Sequence, residues 1–158
     1  MRALVQRVSR CSVAVGGKEV SASGSGMLVL LGVKDSDERE DARFLAEKCT
    51  NLRIFDDAEG KMNISTLDAA KEMMVVSQFT LYGDTRRGNR PSYTEAAEPV
   101  KAEALYEVFV TRARELLGAG RVHTGVFRAM MQIELVNDGP VTILLESKPK
   151  TQPGSAQP

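Results

Sequence analysis

Arg2-Ala3-Leu4-Val5-Gln6-Arg7-Val8-Ser9-Arg10-Cys11-Ser12-Val13-Ala14-Val15, then Gly16-Gly17, then Lys18-Glu19-Val20-Ser21-Ala22-Ser23, opens the chain. Leu4, Arg7 and Ser9 interleave with Val5, Val8, Val13 and Val15, and β-branched side chains on alternate positions suit a pleated strand. Two adjacent glycines reach positive φ without a Cβ clash, which is what a tight hairpin needs. A strand over 2–15 and its return over 18–23 therefore set the class: the protein is built on a sheet.

Outward from that hairpin, Gly24 and Gly26 punctuate the chain before the apolar run 27–33, which reads as a buried central strand. Asp35, Ser36 and Asp37 offer N-caps for a helix over about 37–50, with Glu38, Glu40 and Asp41 in its first turn. Its apolar stripe is Phe44, Leu45, Lys48, Cys49 and Leu52. A short strand at 52–55, an acidic turn at 56–60 and a buried strand at 73–77 follow. Residues 82–95 form a long polar loop, and such loops inside domains are usually functional. Pro99 starts a second helix over 99–117, with Val100, Ala104, Leu105, Val108, Phe109 and Leu116 facing inward. Strands at 121–124, 130–136 and 141–146 complete the order. The expectation is an α+β domain over 1–147, an antiparallel or mixed sheet rolled towards a barrel with two helices outside. Residues 148–158 read as a flexible tail. Periodicity does not give the strand order.

The 158 residues carry 42% hydrophobic side chains and 21 basic against 21 acidic groups. One domain of that size buries a core without staples. Zero net charge argues against coating nucleic acid by bulk electrostatics and leaves room for a local basic site. Cys11 and Cys49 stand apart with no CxxC and read as small hydrophobes of a reducing compartment. Arg2, Arg7 and Arg10 interrupt the first apolar stretch, so no signal peptide is expected, and no run is long enough for a membrane span. The expected location is cytoplasmic.

No GxSxG or HExxH pattern is present, and the single histidine, His123, cannot make a metal site by itself. It reads as a surface or core histidine. Two segments stand out instead. Ser77-Gln78-Phe79-Thr80-Leu81 joins a hydroxyl-rich strand end to Arg86, Arg87 and Arg90, interleaved with Tyr82, Asn89 and Tyr93. By itself it reads as a strand end and a solvated loop. Asn137-Asp138-Gly139-Pro140 interrupts two apolar strands and, by itself, is an ordinary turn with a trans Gly-Pro bond.

In residue type, order and separation, these two segments resemble the signature motifs of the D-aminoacyl-tRNA deacylases, and the likeness runs from Met1 to about Ser147. The resemblance implies a two-fold homodimer with active sites across the interface, acting on aminoacylated tRNA without metal or other cofactor. Ser77, Gln78, Phe79 and Thr80 would form the catalytic segment, with the backbone N–H groups of Phe79 and Thr80 as an oxyanion hole. A cis Gly139-Pro140 bond would enter the partner's site and occupy the space an L side chain needs, supported by Arg7 and Asn137. Arg86, Arg87 and Arg90 would contact the acceptor stem. An aminoacyl ester is already activated, and the adjacent ribose 2′-hydroxyl can relay a proton, so no strong side-chain base is required. Glycine on tRNA(Ala) has no side chain to exclude and should also be cleaved. The chain departs from the family at Arg128, where a smaller residue is expected, and at Met130, often an acid. The rival readings are a non-catalytic protein that binds the tRNA acceptor end and a purely structural barrel dimer.

Overall fold

Alternation and glycine placement give the hairpin first. The computed structural model describes residues 1–147; the tail expected at 148–158 lies outside them. β1 (Arg2–Val15) turns into β2 (Lys18–Ser23) through Gly16 and Gly17, at φ 59° and 79°. These are the paired positive values of a two-residue hairpin turn. β1 serves two neighbours along one edge: its first half pairs with β3 (Gly26–Gly32) and its second half with β2. β8 (Met131–Glu146) lies antiparallel along the other edge. β6 (Glu72–Ser77) adds in parallel to β3, and β7 (Val122–Thr124) in parallel to β6. The sheet is mixed, in the order β2-β1-β3-β6-β7 with β8 beside β1.

Successive residues of β3 and β6 feed two cores, as a period of two requires. Met27, Val29, Leu31, Met73 and Val75 face α1 (Arg39–Thr50) and α2 (Pro99–Leu117), meeting Leu45, Cys49, Leu105, Phe109 and Leu117. Leu28, Met74 and Val76 face the other way, onto Val8, Cys11 and Val13, with Met131, Ile133 and Leu135 partly buried over them. Among the described residues no helix covers the second core; the sheet curls upon itself to cover it. The curl starts where the β1–β8 register slips, at Gln6/Val8 and Val8/Arg10. There the parity of β1 changes: Val8 and then Cys11 and Val13 face the same core although three positions separate Val8 from Cys11, and a bulge supplies the bend.

Four expectations change. The strands at 130–136 and 141–146 are one strand: the Asn137 side-chain amide donates to Arg7 O (2.9 Å) and Val141 O (3.1 Å) and bridges the break. A further strand, β5 (Met62–Ser65), pairs with β4 (Arg53–Asp56) as a separate hairpin. α1 starts at Arg39 because the Asp37 carboxylate is taken, accepting from the Met1 amino group and from Lys34 N, both at 2.6 Å. Glu38 caps instead, its N–H donating to Asp41 Oδ2 at 2.8 Å. The helix stripes also shift: Lys48 is exposed while Ala42 and Ala46 are buried, and Val100 and Ala104 are exposed while Tyr106 and Val110 are buried.

Candidate active site

β6 carries the first motif to the end of the sheet. Ser77 pairs with Leu31, Gln78 N donates to Leu31 O at 2.8 Å, and the chain then winds into a 3₁₀ turn, Phe79–Tyr82. The first bond of that turn runs from Leu81 N to Gln78 O at 3.3 Å. The N–H groups of Phe79 and Thr80 precede it and have no carbonyl within the turn to serve. Gly32 lets the turn sit close, since a Cβ there would come 3.1 Å from Gln78 O and 3.2 Å from Leu81 Cβ. Arg2 fastens its far end, donating to Leu81 O at 2.9 Å while its guanidinium lies 4.7 Å over the Tyr82 ring. Gln78 Nε2 donates to the Thr80 hydroxyl, and among the described residues no imidazole or carboxylate meets that hydroxyl.

Beside the turn opens a pocket of ≈ 590 Å³, within the size range of small-molecule sites. Leu31, Val33 and Val76 line it from the sheet, and Pro99, Ala102 and Tyr106 from α2. Phe79, 57% exposed, meets Tyr93 edge to face with centroids 5.1 Å apart; Tyr106 and Phe127 form a second pair at 5.7 Å. The lining is apolar except for Ser77, Gln78, Arg128 and the hydroxyls of Tyr93 and Tyr106. The α2 and Phe127–Ile133 walls were not read as site from sequence; only the Arg128 and Met130 departures marked that segment.

The second motif is elsewhere. The Gly139-Pro140 bond is cis, as the resemblance implied, and residues 138–140 are exposed. Arg7, 8% exposed, holds this turn: Nε donates to Asp138 O at 3.1 Å and Nη1 to Ile54 O at 2.7 Å, with Asp56 and Asp138 carboxylates each 3.5 Å away. Gly139 sits at φ 115°, and a Cβ there would fall 2.6 Å from Arg7 Nη2. Register keeps the two motifs apart in one chain. Ser77 aligns with Leu31, Leu31 with Ala3 and Ala3 with Leu145. From Leu145 back to Pro140 is about five residues, roughly 17 Å along the strand.

In the arginine loop, Asp84 and Ser92 exchange backbone bonds at 2.8 and 2.9 Å and close the loop at its neck. Arg86 forks onto Asp84 (Nε–Oδ1 2.9 Å, Nη2–Oδ2 2.7 Å), and these bonds hold the Asp84 carboxyl down at about 2. Arg86 is thus already paired within the loop. Arg87 and Arg90 are exposed, with no ion pair among the described residues. His123 lies opposite Met74, outside the pocket lining, with Nε2 2.9 Å from Glu72 Oε2.

A groove of ≈ 650 Å³ between the helices holds no motif residue, and Arg112 there pairs with Glu47 and Glu115. Cys11 and Cys49 are free and buried, and burial pushes their thiols up to about 11 and about 12. Among the described residues no His, Cys, Asp or Glu group could hold a metal ion, and no helix is long and apolar enough to cross a membrane.

Comparison with known proteins places this geometry. The profile of the D-Tyr-tRNA(Tyr) deacylase family matches residues 4–146. A D-aminoacyl-tRNA deacylase of Dehalococcoides mccartyi is 56% identical over 153 residues, 97% of this chain and 99% of that protein. Among solved structures, a c-Myc DNA unwinding element binding protein superposes with TM-score 0.90 at 41% identity, over 94% of this chain and all (100%) of its own. A probable eukaryotic D-amino acid tRNA deacylase shares the fold, with TM-score 0.78 at 20% identity over 92% of this chain and 98% of that one.

Proposed function

The chain belongs to the D-Tyr-tRNA(Tyr) deacylase family, and we propose that it hydrolyses the ester of D-aminoacyl-tRNA in the cytoplasm, as a homodimer whose sites are shared between subunits. The observation that carries the reading is an apolar pocket lined by Ser77, Gln78 and Phe79, beside the 3₁₀ turn that Phe79 and Thr80 open with N–H groups that have no carbonyl of that turn to bond. The terminal adenine enters the pocket against Phe79, and the ester carbonyl lies on the two N–H donors. Water adds to the carbonyl carbon while those donors take up the charge on the oxygen. The bond to the ribose 3′-oxygen then breaks, and that oxygen takes a proton relayed from the attacking water through the 2′-hydroxyl. Gln78 and Ser77 orient the ester, and the exposed Arg87 and Arg90, with Arg86, meet acceptor-stem phosphates.

Selection against L residues comes from the partner's Gly139-Pro140 turn. Within one chain that turn lies far from Ser77, and Arg7 and Asn137 brace it in an exposed position. Seated over the partner's pocket, its carbonyls fill the space of an L side chain and leave room for the α-hydrogen of a D residue. Glycine offers nothing to exclude, so glycyl-tRNA(Ala) is a substrate too.

The test is release of free D-tyrosine from D-tyrosyl-tRNA and of glycine from glycyl-tRNA(Ala), with many turnovers per protein. Salt-sensitive retention of tRNA with no release would replace this reading with the binding-only one, in which the arginine loop acts alone.

A further inference from the structure

Arg128 is the one charged residue lining the pocket among the described residues. It is exposed and makes no ion pair there. It also occupies an unfavourable backbone position: in the turn closed by Ala129 N to Val126 O at 3.2 Å, Arg128 has φ 62°. Glycine occupies that region freely, whereas an arginine is strained there. The chain keeps a long cationic side chain where the backbone favours none. Phe127 before it is held against Tyr106, and Met130 after it is 90% exposed, so Arg128 stands at the rim.

We infer that Arg128 is a positioning residue that grips the phosphodiester joining the last two nucleotides of the substrate tRNA. This rests on the deacylase reading, in which the terminal adenine fills the apolar interior. A phosphodiester cannot follow the base into apolar surroundings without a large desolvation cost, so it stays at the rim. There the guanidinium fork matches two phosphate oxygens at once. The grip sets how deeply the adenosine seats, and so where the ester meets the Phe79 and Thr80 N–H groups.

The experiment compares D-tyrosyl-tRNA with 3′-O-(D-tyrosyl)adenosine, which lacks the phosphate, for the wild type and for Arg128→Gln, Arg128→Lys and Arg128→Gly. Arg128→Gln should lower kcat/KM on the tRNA about tenfold, mostly through KM, and make its log–log salt dependence shallower by about 0.7. The loss should be confined to the substrate that carries the phosphate, and lysine should recover part of it. Arg128→Gly, which relieves the backbone, should melt like the wild type and still show the loss. Equal losses on both substrates, or no loss on the tRNA, would overturn the assignment. Failure of the wild type to cleave either substrate would instead remove the deacylase reading, and this one with it.

Discussion

Thr80 is the residue at which two mechanisms part. Its hydroxyl takes a hydrogen bond from the Gln78 amide, which is no base, and no other hydrogen bond to it is seen among the described residues that would activate it as a nucleophile. Thr80→Ala should keep most of the turnover, losing under about tenfold, roughly 1.4 kcal/mol of transition-state stabilisation. A tRNA ending in 2′-deoxyadenosine, charged on its 3′-hydroxyl, should be cleaved far more slowly. Single-turnover rates for both decide it: collapse of the variant with normal cleavage of the deoxy substrate points to a threonyl acyl-enzyme. Arg7 gives a second residue-level outcome. A lysine ammonium cannot span Ile54 O and Asp138 O as the guanidinium does. Arg7→Lys should cost about 2 kcal/mol, lowering Tm by roughly 4–8 °C, and should raise cleavage of L-tyrosyl-tRNA as the turn loosens. A variant with unchanged melting and unchanged chirality would show that Arg7 does not brace the turn. The segment proposed as reactive stands out in the sequence as a motif, but its supports do not. Arg2 on Leu81 O, and Gly32 beneath Gln78, are contacts between a strand and the 3₁₀ turn distant from it in sequence, and no local pattern encodes them.

At the scale of elements, α2 is bonded to the strand that delivers the motif. Tyr106 OH donates to Val75 O at 2.9 Å, two residues before Ser77, and burial raises its phenol above the ordinary range. Val75 O also accepts from Gly125 N at 3.0 Å, so Tyr106→Phe leaves that carbonyl satisfied. The loss should be about 1 kcal/mol, or roughly 2–4 °C in Tm, with kcat changed little. A drop several times larger would mean that the tyrosine positions β6 and does more than fasten α2. Period-two alternation and a glycine pair made the first hairpin readable, and continuous apolar runs the central strands. β5 escaped because the alternation of Met62 and Ile64 with Asn63 and Ser65 lasts only 4 residues and pairs with β4 alone among the described strands. The division of β8 was over-read because Gly-Pro is a turn signal, whereas here Asn137 carries the strand through. Helix stripes shifted because α1 and α2 pack against each other as well as on the sheet, turning Tyr106 and Val110 inward.

For the whole molecule, the separation of the two motifs is the fact that asks for a second chain. Among the described residues β8 is paired on one edge only, and exposed Val136 and Leu144 lie along it. Sedimentation at micromolar concentration should give the mass of two chains; a stable monomer with full activity would put the whole site in one chain. Chirality is the sharpest consequence of the proposed shared site. The most direct measurement is a side-by-side time course of D-tyrosyl-tRNA and L-tyrosyl-tRNA with the unmodified protein. The account predicts that D-tyrosine is released over many turnovers while L-tyrosyl-tRNA decays only at the rate seen without protein. Equal cleavage of the two would contradict exclusion by the Gly139-Pro140 turn, and an intact D-tyrosyl ester would contradict the deacylase itself.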